Sequence, residues 1–153
     1  MINLQLSDVS HIIQLSIAPV FLLTGVGTKL SVLTSRLARI IDRARVVENI
    51  LERDGQLSPD HENELVELYR RSHLINRAIT LSTTCGLLVC LVIACLFLGD
   101  ATSLNLDKLI AALFVAGVFS LIGSFVYFMR EIAVATKTLQ RQHQRDKLRM
   151  QKR

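Results

Sequence analysis

The chain has 153 residues, half of them hydrophobic, with no Trp and a formal net charge of +5. Three stretches contain no formally charged side chain: residues 12–28, 78–98 and 109–129. A helix that crosses a bilayer needs about 20 mainly apolar residues, and a soluble domain of this size rarely contains three such runs. The composition therefore excludes an ordinary soluble domain and predicts an all-α membrane protein with three transmembrane helices.

The charged residues predict the topology. Residues 29–77 hold nine Lys or Arg and eight Asp or Glu, and the tail 130–153 holds eight basic and two acidic residues. Lys and Arg remain on the cytoplasmic side during insertion, so we expect the amino terminus outside and the carboxyl terminus inside. We predict a single membrane domain, 1–153, with these parts: spans at about 12–35, 78–98 and 109–129, a cytoplasmic hairpin at about 36–77, and a basic cytoplasmic tail, 130–153.

The first span carries several residues that are unusual in a regular helix: Pro19, Thr24, Gly25, Gly27 and Thr28. One hypothesis is a pore or an ion-coordinating helix break, because broken helices at membrane depth often mark substrate sites. The other is a kinked helix whose glycines admit a neighbouring helix. We favour the second, because Gly and Pro are frequent in spanning helices.

Apolar residues then step by three and four along two consecutive segments. The first set is Leu30, Leu33, Leu37, Ile40, Ala44, Val47 and Leu51; the second is Leu65, Leu68, Ser72, Ile75 and Ile79. This spacing is typical of the seam of a left-handed coiled coil. Between the two, Gly55 suits a helix end, Ser58 an N-cap and Pro59 a first helical position. We predict an antiparallel helical hairpin.

Four arginines follow the first span: Arg36, Arg39, Arg43 and Arg45. They either contact anionic lipid headgroups at the inner leaflet or anchor the topology and form salt bridges within the helix, for example with Asp42. The second role is favoured, and the two are compatible. Lys29 is expected to extend its amine towards the headgroups.

The hairpin needs more apolar cover than two seams supply. Ile41, Val46, Ile50 and Val66 fall outside the seams and need cover from the carboxyl tail, the bilayer surface or another copy of the chain, which we favour. Small residues on the third span recur every four positions and suit close helix packing in lipid. The predicted packing or oligomer residues are Leu37, Ile40, Val47, Leu68, Ala112, Ala116, Ser120 and Ser124.

The stretch SIAPVFLLTGVGTKLSVLTSRLARIIDRARVVE, residues 16–48, resembles a family of small bacterial inner-membrane proteins catalogued as a domain of unknown function. The shared features are a first span that contains a proline and an LTSRLARIIDRAR-like helix after it. The resemblance implies this architecture and a bacterial inner membrane, and it implies no activity.

The sequence contains no P-loop, GxGxxG, HExxH or nucleophile motif, so we expect no enzyme and no cofactor or metal site. Cys85, Cys90 and Cys95 cannot share one helix face and are interpreted as packing residues. The basic tail lacks the interleaved aromatic residues of a nucleic-acid arm, so nucleic acid is not an expected partner.

Two functions remain. The first is a homo-oligomeric structural or interaction scaffold, whose hairpin binds an unknown cytoplasmic protein. The alternative is a small oligomeric ion channel with a pore lined by hydroxyl groups and glycines, since neutral oxygens can coordinate ions. The direction of the hydroxyl groups discriminates between them: hydroxyls that meet another helix favour the scaffold.

Overall fold

The computed structural model describes residues 2–54, 59–102 and 106–151, and in these ranges every residue except Leu106 is helical. Helix α1 comprises Ile2–Asp54, α2 comprises Pro59–Thr102 and α3 comprises Asp107–Gln151. Each contains a segment long and apolar enough to cross a membrane. The predicted all-α class with three such helices is confirmed, and Pro59 is the first residue of α2 as expected. Gly55 and Ser58 lie outside the described residues.

Buried positions recur every seven residues along each helix. They are Pro19, Val26, Leu33, Ile40 and Val47 on α1, Leu68, Ile75, Ser82 and Val89 on α2, and Gly117, Ser124 and Glu131 on α3. Seven residues are close to two helical turns, so these side chains follow one face of each helix. The predicted seams of α1 and α2 therefore coincide with the buried faces, apart from Leu51, whose side chain lies outside the described part of the chain. The corresponding face of α3 changes along the chain from apolar to polar and charged residues.

The chain divides into two compact units. The first combines Met1–Val32 with Ile79–Ser124. Its core is a cluster of Val26, Cys85 and Val89, against which partly buried residues of all three helices pack: Leu22, Leu23, Leu30, Ile93 and Leu121. A Cβ atom at Gly117 would lie 3.6 Å from the Leu88 Cβ and 3.8 Å from the backbone oxygen of Cys85, so α3 approaches the backbone of α2 closely at this glycine.

The second unit combines Leu33–Ala78 with Phe125–Arg153. The end of α1 and the start of α2 form the predicted antiparallel hairpin, and the hairpin's buried seam contains Leu33, Ile40, Val47, Leu68 and Ile75. Helix α3 continues without interruption beyond the third apolar run and packs against both arms through Glu131. Part of the cover that the hairpin needs thus comes from the same chain.

Replacing Ile75, which is fully buried in the hairpin seam, should lower the stability of the protein. We expect Ile75→Ala to reduce the free energy of unfolding by about 2–4 kcal/mol, because it leaves a cavity between the packed helices. Val66→Ala on the same helix is the control, since Val66 is 64% exposed. Unfolding midpoints in mild detergent measure both changes, and equal effects would contradict the assignment of the seam.

Candidate functional site

Three charged side chains of the second unit, one from each helix, are joined by salt bridges: Arg36, Arg71 and Glu131. We call them the arginine–glutamate triad. Arg36 Nη1 donates to Glu131 Oε2 at 3.0 Å. Arg71 donates to Glu131 Oε1 through Nε at 3.0 Å and Nη2 at 2.9 Å. Both carboxylate oxygens are therefore occupied by charge-assisted hydrogen bonds, which are about twice as strong as neutral ones.

The triad combines a buried carboxylate with two partly exposed cations. The side chain of Glu131 has no exposed surface, whereas those of Arg36 and Arg71 are 35% and 24% exposed. The guanidinium of Arg36 also lies over the ring of Phe128, 5.2 Å from its centroid, within the range of a cation–π contact. Burying a carboxylate is costly unless it is paired and hydrogen-bonded, so Glu131 requires both arginines.

A second polar group, the hydroxyl cluster of Lys29, Ser82 and Ser124, lies in the first unit. Lys29 Nζ donates to Ser124 Oγ at 2.8 Å, and Ser124 Oγ is 2.8 Å from Ser82 Oγ. Ser120 Oγ donates to the backbone oxygen of Leu81 at 2.8 Å. The Lys29 amine, which we expect to extend towards the headgroups, thus donates a hydrogen bond to a buried serine on α3.

The four predicted lipid-contacting arginines fall into two classes. Arg36 belongs to the triad. Arg43 donates two hydrogen bonds to the Glu64 carboxylate, from Nε at 2.7 Å and from Nη2 at 3.1 Å. Arg39 and Arg45 are exposed. In the part of the chain that the structure describes, Asp42 forms no salt bridge with either of them. The predicted pairing within α1 is replaced by pairing between helices.

One further polar contact closes the hairpin. The hydroxyl of Tyr69 on α2 donates to Glu48 Oε1 on α1 at 2.5 Å. The nearby carboxylate raises the pKa of the Tyr69 phenol, because it stabilises the protonated hydrogen-bond donor. Together with the pair of Arg43 and Glu64, this contact joins the two arms outside their apolar seam.

Of the two hypotheses for the first span, the less favoured one, a helix break, is not present in α1. Helix α1 is continuous through Pro19, Gly25 and Gly27. Thr24 and Thr28 donate to backbone oxygens one turn earlier in the same helix, at 3.3 and 3.0 Å. Pro19 is compatible with this helix because its missing N–H leaves only one carbonyl of the previous turn without its usual donor.

The proposed packing residues differ in their surroundings. Leu37 is partly buried, and Ile40, Val47 and Leu68 are buried in the hairpin. On α3 the four-residue stripe divides: Ser120 and Ser124 face α2, whereas Ala112 and Ala116 are exposed. Steps of four rotate by about 40 degrees relative to a straight helix face, so a long stripe of this kind cannot stay buried.

Sequence reasoning missed Glu131, Arg71 and Ser82. Glu131 was counted within a basic tail, although it follows Gly117 and Ser124 at intervals of seven residues and so continues their face of α3. That periodicity is the signal that could have identified it. No group of three or more His, Cys, Asp or Glu in the described ranges is arranged to hold a metal ion. A buried carboxylate held by two guanidiniums is suited to fixing three helices together. The exposed parts of the guanidiniums are suited to binding an anion.

Removing the charge of Glu131 should destabilise the second unit. Glu131→Gln preserves the shape but leaves two guanidiniums facing a neutral amide, and we expect a loss of about 3 kcal/mol, as for a buried ion pair that loses one partner. Glu64→Gln removes the partner of Arg43 on the more exposed surface and should cost less than about 1 kcal/mol. Detergent unfolding titrations compare the two, and a cost for Glu131→Gln no larger than the control would rule out the triad as a structural lock.

Ser124→Ala tests the hydroxyl cluster. Loss of the contacts to Lys29 and Ser82 should lower the free energy of unfolding by about 1 kcal/mol, a typical value for polar contacts between membrane helices. The control is Thr84→Val, because the Thr84 hydroxyl donates to the Thr80 backbone oxygen of its own helix. Similar midpoints for both variants would argue against a role of the cluster in joining helices.

No curated protein and no solved structure matches the chain. Residues 16–141, which include the triad, the hydroxyl cluster and most of all three helices, match one protein family. The chain therefore belongs to the family described as Protein of unknown function (DUF2721).

Proposed function

We propose that this protein is a homo-oligomeric scaffold of the bacterial inner membrane, with its amino terminus outside and its charged hairpin and carboxyl tail in the cytoplasm. The observation that carries this proposal is the direction of the membrane-segment hydroxyls. Ser120 and Ser124 bind α2 within the same chain, and Thr24 and Thr28 bind carbonyls of their own helix. Polar groups used in this way join and complete helices.

The same hydroxyls argue against the channel. A pore lined by serines and threonines needs their oxygens directed to water or to a conducted ion. Ser124 is fully buried. Its hydroxyl is engaged by Lys29 and Ser82. A pore along this face of α3 would have to disrupt the hydroxyl cluster.

The hairpin supports self-association because apolar side chains are exposed among its charged residues. They include Val66, Tyr69, Val46 and Ile41, between 64% and 39% exposed. Ile41 and Tyr69 line a groove of about 140 Å³ between the arms, together with Arg45 and Glu48. Since the lining carries both signs of charge, two copies related by a twofold axis can oppose Arg45 of one to Glu48 of the other.

The first span offers a second contact for another copy. Thr24, Gly27 and Thr28 are exposed on α1, and a Cβ atom added at Gly27 would meet nothing within 4 Å. Helices in lipid associate by close packing of small residues, because lipid tails are as apolar as the side chains. The assembled hairpins would then form a repeated surface for a cytoplasmic protein partner.

A bulky residue at Gly27 should separate the copies without unfolding them. We expect Gly27→Leu to reduce the mass of the protein particle in nanodiscs or mild detergent towards that of one chain, because the added side chain blocks the close approach. The matched control is Val115→Phe, which adds bulk at an exposed position of α3 and should keep the wild-type mass.

The wild-type mass is the first measurement in this series. A strictly monomeric wild type would overturn the scaffold proposal. A defined ring of three or more copies that carries ion flux in liposomes, with flux reduced by Ser124→Ala, would replace the scaffold with the channel.

A further inference from the structure

We propose that the exposed side of the arginine–glutamate triad binds a phosphate group, carried by an anionic lipid headgroup or by a soluble phosphate. The inference depends on the membrane placement proposed above but not on self-association. It begins with the unused donors of the triad. Arg36 contacts Glu131 only through Nη1, and Arg71 contacts it through Nε and Nη2.

The donor geometry of Arg36 fits a phosphate. Among the described residues, no hydrogen bond engages its Nε and Nη2 nitrogens, which together form the side fork of the guanidinium. This fork matches two oxygens of a phosphate or carboxylate in a bidentate arrangement. With 35% of the Arg36 side chain exposed, the fork is open to an external ligand.

The guanidinium of Arg36 is also held in place before any ligand arrives. Glu131 fixes one of its nitrogens, and the ring of Phe128 supports its face at 5.2 Å. A cation whose orientation is already restricted loses less conformational entropy on binding, so its interaction with a ligand is stronger. Arg39 is exposed one turn further along α1 but has no such support.

The charge of the triad favours an anion. Two guanidiniums surround one carboxylate, which leaves one positive charge, and the carboxylate is fully buried while both cations retain exposed surface. A ligand from outside therefore meets the cations and not Glu131. An anion bound there would compensate the remaining positive charge.

The position in the sequence favours a lipid as the source of the phosphate. Arg36 is the first arginine after the first apolar run, and Glu131 follows Met129, the last residue of the third run, by two positions. Both are at the predicted change from hydrocarbon to headgroups, where basic residues attract anionic lipid.

The test uses Arg36→Lys, which retains the charge and a donor for Glu131 but removes the side fork. Arg43→Lys is the matched control, because it removes the fork of a second hairpin arginine that is already bound to Glu64. Native mass spectrometry in a neutral detergent measures binding of three probes: dioctanoyl phosphatidylglycerol, dioctanoylglycerol with the same chains but no phosphate, and inorganic phosphate. Unfolding midpoints of each variant report whether it is folded.

We expect the wild type and Arg43→Lys to bind phosphatidylglycerol at least about tenfold more tightly than Arg36→Lys, a difference of about 1.4 kcal/mol. Dioctanoylglycerol should bind all three proteins equally. If inorganic phosphate binds as tightly as the lipid and with the same dependence on Arg36, the source is a soluble phosphate.

Phosphatidylglycerol binding that is unchanged in Arg36→Lys would overturn the proposal, as would equal losses in both arginine variants. If Arg36→Lys does not fold, Phe128→Leu replaces it, because this change keeps the donors but removes the support of the guanidinium face. A folded Phe128→Leu protein with wild-type lipid binding would also overturn the proposal.

Discussion

The second unit depends on one buried carboxylate. Glu131 has no exposed surface, and its charge is tolerable only because Arg36 and Arg71 supply three donors from the two other helices. A buried ion pair of this kind is weak evidence of net stability, since replacement by apolar residues is often neutral, but loss of one partner is costly. We infer that the triad contributes to specificity, because arrangements of α1, α2 and α3 in which Glu131 lacks either arginine would leave a buried charge without a partner.

In the first unit, polar groups lie among apolar side chains and also need hydrogen-bond partners within the protein. Backbone carbonyls and hydroxyls in hydrocarbon need internal partners, and here serines supply them between helices while threonines supply them within a helix. Ser82 and Ser124 meet across α2 and α3, and Lys29 joins them from α1. Short side chains let the backbones approach, as Gly117 also does at the Val89 and Cys85 positions. Packing and polar contacts are thus produced by the same small residues.

In both units, the residues that stabilise the fold are different from those that are exposed to a possible partner. The residues that stabilise the fold lie on the seven-residue faces, whereas exposed apolar and small residues remain on α1 and the hairpin, including Gly27, Val66 and Tyr69. Arg36 belongs to both groups, because one nitrogen binds Glu131 while the rest of its guanidinium is exposed. The anion binding that we propose would use this exposed part of the guanidinium and leave the contact with Glu131 in place.

The helical class, the three apolar segments and the seams of the hairpin can be predicted from the sequence, because the hydrophobic period and the absence of charge are local properties of the chain. Leu33, Ile40, Leu68 and Ile75 are buried as the three-and-four spacing predicts. The partners of the charged side chains cannot be predicted in this way. In the folded chain Arg36 and Arg43 bind Glu131 and Glu64, and Lys29 binds Ser124. Charge pairing depends on which side chains from distant parts of the chain meet, and a carboxylate that is 95 residues from its arginine carries no local mark of that contact.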